Sequence, residues 1–298
     1  MKKMKNMLMV LSLLLAIGCA KDNNPLGEID ENVDYFSKRE VKPKSQWNEL
    51  DYLCDSINKA YGVEIIYEYT PRIISGNTYF MPPQYSVALP YTKVMLDKMW
   101  LKPLKEKFPE FFKKETPIEF ILAGGFVHFN NPTATATAAG AGMNAQFYRL
   151  GMGGVNRFDA TNKAWLHDHL VTLYHEHAHQ IDHKYGRGQI YDRVSQGRYY
   201  GLAGYFRKPD GTIRNDDEAQ KDGFFKPYGG YAPEEDFATS VEYMVKYPEA
   251  TIKSFVAKNA NLDTKYKLVH QKYLDMGVDL HQLQIVVDSV VFKVDHKN

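Results

Sequence analysis

The stretch YHEHAHQIDH, Tyr174 to His183, decides the fold, because ten residues carry four histidines, a glutamate and an aspartate. Six of the chain's ten histidines gather around it: His167, His169, His175, His177, His179 and His183. Only one frame in it satisfies HExxH, namely His175, Glu176, His177, Ala178 and His179. Residues four apart share a helix face, so His175 and His179 can reach one ion, with Glu176 beside them to act on a water there.

Helical geometry sorts the remaining histidines. Counted from Leu166 at about 100° per residue, Leu170, Leu173, His177 and Ile181 form one apolar stripe, and His175 and His179 fall on roughly the opposite side. His177 is therefore expected in the core. His183 lies a turn too far along the helix, about 6 Å beyond His179, to share the ion without drawing it away from Glu176. His167 and His169, on the preceding turns, are expected to be solvated or to support the site indirectly. The helix should run from about Asn162 to His183, with Asp159 and Thr161 as caps and Gly186 near its end.

Upstream, WNELDYLCDSINKAYG (Trp47 to Gly62) has the apolar spacing of a helix, and VEIIYEYT (Val63 to Thr70) reads as a strand rich in β-branched and aromatic residues. YTKVMLDKMWLKPLKEKFPEFFKK reads as a long helix kinked or split at Pro103. IEFILAGG (Ile118 to Gly125), a continuous apolar run, is expected to be a buried strand. The small-residue segment TATATAAGAGMNAQFYRL (Thr133 to Leu150) suits either a sheet-edge strand on which a peptide could add a further strand, or a surface loop. No internal repeat is evident.

A catalytic zinc needs three protein ligands and one open position. The residue six after His179 is Tyr185 rather than a histidine, so the third donor must come from later in the chain. The best source is GFFKPYGGYAPEEDFATSVEYM (Gly223 to Met244). Pro233 suits the first turn of a helix, Phe237, Val241 and Met244 make its apolar stripe, and Glu235 is free to face the histidine helix. Glu234 and Asp236 are rival donors that surface charge at a helix N-terminus explains adequately. The acidic residues Asp216, Asp217, Glu218 and Asp222 do not have EF-hand spacing and read as a solvated loop. The whole segment from Lys184 to Gly223 is expected to line or cover the cleft, with PDGT as a hairpin turn.

These motifs resemble a known family. HExxH followed by a tyrosine, six residues and then Glu-x-Phe-Ala is similar to the gluzincin peptidases of the anthrax lethal factor type. PYGGYAPEEDFA is also close to the zinc-binding metallopeptidases found as lipoproteins in Bacteroides-like bacteria. The resemblance implies an α+β, zincin-like domain with a small mixed sheet and a helical C-terminal half. It implies Zn2+ bound by His175, His179 and Glu235, Glu176 as general base, Tyr228 on the oxyanion, and a peptide or protein substrate. One departure is Thr239, where many gluzincins carry an acidic residue that hydrogen-bonds a ligating imidazole; Asp182, on the histidine face, is the expected substitute.

The N-terminus supplies an address. Lys2, Lys3 and Lys5 precede an apolar run from Met7 to Gly18, about twelve residues and shorter than the roughly twenty needed to span a bilayer. Leu15 and AIGC resemble the lipobox of bacterial lipoproteins, which implies cleavage before Cys19, lipid on its sulfur and attachment to the membrane through that anchor only. AKDNN after the cysteine resembles an outer-membrane export signal. The expected organisation is therefore a signal peptide over 1–18, a tether over 19–45 and one domain over 46–298. Loss of three lysines from 37 basic residues against 36 acidic ones leaves a slight acidic excess. Nothing in that balance points to a nucleic-acid partner, which needs a concentrated basic surface. With Cys19 lipidated, Cys54 is the one remaining thiol and no intrachain disulfide can form.

Two other functions fit the same residues. One is a weakly active or inactive zincin-fold surface lipoprotein that binds glycans or proteins; the other is a cell-wall amidase, with the same zinc and a different substrate.

Overall fold

In the computed structural model, residues 42–68, 78–129, 138–140, 142–146 and 148–294 are described. The expected signal peptide, Cys19 and most of the tether lie outside these residues, as does part of the small-residue segment. The first described turns are anchored by Lys42, whose ammonium lies 3.0 Å from Asp51 and 2.9 Å from Glu68. The Trp47 indole donates to the Lys42 carbonyl.

Helix α1 (Glu49–Tyr61) starts in a reciprocal capping box between Asn48 and Asp51, which satisfies two of its free amides. It leads into β1 (Glu64–Ile66). After β2 (Thr78–Tyr79), a continuous helix α2 runs through Tyr85–Tyr91, a wider π-wound stretch Thr92–Leu101, and Lys102–Lys107. Pro103 does not end the helix; it sits in the first turn after Leu101, where the winding changes from π to α. The break falls instead at Phe108, which leaves the helical region ahead of Pro109, and α3 (Pro109–Glu115) follows.

β3 (Glu119–Leu122) is buried along its length, as its apolar run requires. β4 (Val127–Phe129) and β5 (Ala138–Gly140) pair antiparallel, with β2 on the other side of β4, in a small three-stranded sheet. The main sheet has the order β1-β3-β7-β6. β1, β3 and β7 (Arg149–Met152) are parallel, and β6 (Gly142–Gln146) pairs antiparallel with β7 at the edge. Within the small-residue segment, Gly142–Gln146 is thus an edge strand, and the segment's last residues enter the interior strand β7.

The histidine helix α4 (Lys163–Tyr185) crosses under this sheet. Its cap is Asn162, whose side chain accepts from the Trp165 amide; Asp159 instead accepts from Thr161, one turn too early to cap. The helix ends at Gly186, whose φ of 70° only glycine adopts freely. Leu166, Leu170, Leu173 and Ile181 are buried as the stripe predicts, each worth about 1.5–3 kcal/mol relative to exposure. The opposite face is covered too, by α8 (Pro233–Lys246), so that His175 and His179 are also largely buried.

Between α4 and α8 come three short helices, α5 (Gln189–Val194), α6 (Gly201–Gly204) and α7 (Asp216–Asp222), and a tight turn, Pro227–Gly230. PDGT does form a hairpin turn, with Arg207 bridged to Ile213. The acidic residues form a helix, α7, rather than a loop; it is capped by Asn215, its Asp216, Asp217 and Asp222 are exposed as expected, and the four pair with Lys208, Arg214, Lys258 and the Tyr243 hydroxyl. Behind α8 pack α9 (Glu249–Val256), α10 (Ala260–Asp275) and α11 (Leu280–Asp288), which make the C-terminal half helical. Among the described residues, no helix is long and apolar enough to cross a membrane.

Candidate metal centre

The HExxH turn of α4 and the first turn of α8 face each other. Glu235 Oε2 lies 3.2 Å from His175 Nε2 and 3.4 Å from His179 Nε2. Among the described residues this is the one group of three His, Cys, Asp or Glu side chains whose donor atoms converge enough to hold an ion. Oε2 of Glu235 is buried and takes no hydrogen bond, an arrangement that costs energy unless a cation sits there. Two imidazole nitrogens and one carboxylate oxygen form a donor set that suits zinc. The residues present therefore fit the ion.

The second nitrogen of His175 is also fixed. Its Nδ1 lies 3.0 Å from Glu242 Oε2, which leaves Nε2 as the nitrogen directed at Glu235. Glu242 is seven residues after Glu235, two turns along the same face of α8, and a sequence reading restricted to position 239 misses it. Asp182 does not substitute, because Arg187 from the following turn holds its carboxylate. Thr239 has a packing role: a Cβ on Gly229 would meet its Oγ1 at 2.5 Å, so the Pro227–Gly230 turn sits against α8 too closely for a longer side chain. A Cβ on Gly230 would strike the Tyr200 ring at 2.3 Å. Gly229 thus lets the turn carrying Tyr228 approach α8, and Gly230 lets it pack against Tyr200.

Tyr228 accordingly reaches the centre, with its ring 6.1 Å from that of His175 and nearly parallel to it. Tyr205, from the segment between the two motifs, packs on both Tyr228 and Tyr231, so that part of this segment does line the site. Electrostatics bind the group together. Burial opposes charge on His175, but the facing Glu235 and Glu242 carboxylates outweigh it and raise its pKa to about 9. Burial likewise opposes charge on Glu235, and the two histidines overcome it, holding the carboxyl well below its usual range. Glu176, half-buried beside them, is pushed up by burial, with His175 and His179 pulling it back. Burial and the neighbouring Glu235 charge keep the Tyr228 phenol protonated.

The other histidines go elsewhere. His177 is buried in the core, its Nε2–H donating to the Glu115 carbonyl at 2.6 Å and its ring against Phe111. His183 is exposed. His169 is not solvated: it is buried, hydrogen-bonded to the Tyr91 hydroxyl at 2.9 Å and stacked on Trp165, and burial lowers its pKa to about 3. Of the rival donors, Glu234 is exposed as expected. Asp236 is no surface charge: it is fully buried, 2.7 and 2.8 Å from the equally buried Lys265 and 3.0 Å from the Tyr199 hydroxyl.

Three comparisons bear on this arrangement. No curated protein matches the chain. A crystal structure titled as a putative zinc-binding metallo-peptidase from Bacteroides caccae ATCC 43185 superposes with a TM-score of 0.60 at 21% identity, covering 87% of this chain and 98% of that one. At that identity the match speaks to the fold. The family model described as "Putative zinc-binding metallo-peptidase" matches residues 43–276, most of the chain, and the chain therefore belongs to that zinc-binding metallopeptidase family.

Proposed function

We propose that the chain is an exported, lipid-anchored peptidase that hydrolyses peptide bonds at a zinc centre held by His175, His179 and Glu235. The observation that carries this reading is the buried, hydrogen-bond-free Oε2 of Glu235 set between two imidazole nitrogens. Zinc, when bound, supplies a water of lowered pKa and polarises the scissile carbonyl. Glu176 accepts the proton of the attacking water and passes it to the leaving amine; burial raises its carboxyl above the usual carboxylate range, which makes it a better proton acceptor. Tyr228, kept protonated, donates its hydroxyl to the developing oxyanion. Glu242 holds His175 in the tautomer whose Nε2 is free. The antiparallel edge strand β6, packed beside α4, offers its backbone to an extended peptide. Residues 1–18 would direct export, and Cys19 would carry the lipid that attaches the domain to the outer membrane.

The test is Glu176→Gln assayed on a broad peptide library alongside purified peptidoglycan. Retained zinc with abolished peptide cleavage supports the reading. Undiminished cleavage by the variant would refute the assignment of the base. A zinc-loaded wild-type chain that cleaves no peptide would favour the binding function instead, and one that cleaves peptidoglycan alone would favour the amidase.

A further inference from the structure

Contacts around His175 close into a ring that runs through a lysine the proposed mechanism does not use. His175 Nδ1 bonds Glu242 Oε2, and Lys226 Nζ lies 2.7 Å from Oε1 and 2.6 Å from Oε2 of the same carboxylate. The Lys226 ammonium also stands 5.8 Å from the centre of the Tyr228 ring, which itself stacks on His175. Only Pro227 separates Lys226 from Tyr228, and proline's fixed φ leaves little slack between them. Lys226 is the extended residue from which the tight turn springs, and its carbonyl accepts the Gly229 amide that closes the turn. Thr239 packs the far end of that turn against α8 through Gly229, and Lys226 pins the near end.

Resting on the peptidase reading above, we infer that Lys226 is a positioning residue that ties the Tyr228 hydroxyl to the metal centre through Glu242. The distinction from a simple neutralising role is chemical. Removing the lysine leaves the Glu242 carboxylate without its compensating cation and still beside His175, which favours a bound cation rather than weakening it. What is lost is the anchor of the tyrosine turn.

The experiment compares Lys226→Met, Lys226→Arg and Lys226→Met/Tyr228→Phe in the full chain. Zinc affinity is measured by chelator competition, and kcat and KM are measured on a peptide that the wild type cleaves. Lys226→Met should bind zinc at least as tightly as wild type. Its kcat should fall about tenfold with KM little changed, as a misplaced group costs up to roughly 10²-fold. Lys226→Arg, which can still grip both carboxylate oxygens, should recover most of that loss. In the Tyr228→Phe background, Lys226→Met should have no further effect, because its target is already gone. Zinc affinity that falls in Lys226→Met as it does in Glu242→Gln would overturn the inference, as would fully additive losses in the double variant. Glu176→Gln separates this failure from failure of the peptidase reading, since that variant tests the chemistry without disturbing the ring.

Discussion

Lys265→Met puts a number on the buried pair that neighbours the metal helix. Lys265 and Asp236 are both fully buried, and the ammonium lies 2.8 and 2.7 Å from the two carboxylate oxygens. Methionine is close in length to lysine but removes the ammonium that stands 4.3 Å from the centre of the Phe224 ring, and it leaves the Asp236 carboxylate with the Tyr199 and Tyr191 hydroxyls. Breaking a buried pair from one side costs about 3–5 kcal/mol. Two phenol donors offset part of the cost, which places this site near the lower figure, about 3 kcal/mol. At roughly 2–4 °C per kcal/mol for a domain of this size, the melting temperature should fall by about 6–12 °C. Urea denaturation of the zinc-free chain measures the change directly, provided the slope m stays constant. The double variant Lys265→Met/Asp236→Leu, with neither charge left, should return to within about 1 kcal/mol of wild type. A loss below about 1 kcal/mol in the single variant, or no recovery in the double one, refutes the claim that the pair is a dry, interdependent unit.

Three further outcomes are expected. Glu242→Gln should weaken zinc binding by about 10 to 100-fold while leaving the fold intact, because it removes the carboxylate that orients His175; chelator competition measures it, and wild-type affinity would contradict the assignment. The His175 pKa near 9 in the metal-free fold exceeds its unfolded value of 6.5, so this contribution to stability is complete below pH 6.5 and is lost as pH rises through about 9. The zinc-free melting temperature should decline over that interval, and zinc binding at pH 7.5 should release about one proton, read by calorimetry in buffers of different ionisation enthalpy. His177→Ala should cost about 1–3 kcal/mol by orphaning the Glu115 carbonyl, yet keep zinc, whereas His179→Ala should lose zinc with little loss of stability in the metal-free chain; equal zinc loss in both would undo the sorting of the histidines.

The parts of the site that the sequence reveals are those set by one helix. The HExxH spacing and the 100° step put His175 and His179 together and turn His177 inward, because rotation along a single α-helix is local geometry. Glu235 could be found because a proline-started helix with a clear apolar stripe leaves few directions for its charged residues. What stayed hidden depends on partners far along the chain. Glu242 meets His175 across 67 residues, and only the packing of α8 on α4 shows that it bonds the imidazole while Arg187 holds Asp182. Asp236 reads as an ordinary N-terminal surface charge until Lys265 arrives from α10, and His169 as a polar surface residue until Tyr91 covers it. Thr239 looked like a missing acid, and the tight approach of Gly229 gives it a steric reason that no pattern of neighbours in sequence contains.

Binding of one zinc by His175, His179 and Glu235 is open to anomalous diffraction at the zinc edge from crystals of the zinc-loaded chain. A single strong peak is expected about 2.0–2.2 Å from Nε2 of each histidine and from a carboxylate oxygen of Glu235. A zinc peak that excludes Glu235, or that engages His183 in place of His179, would contradict it.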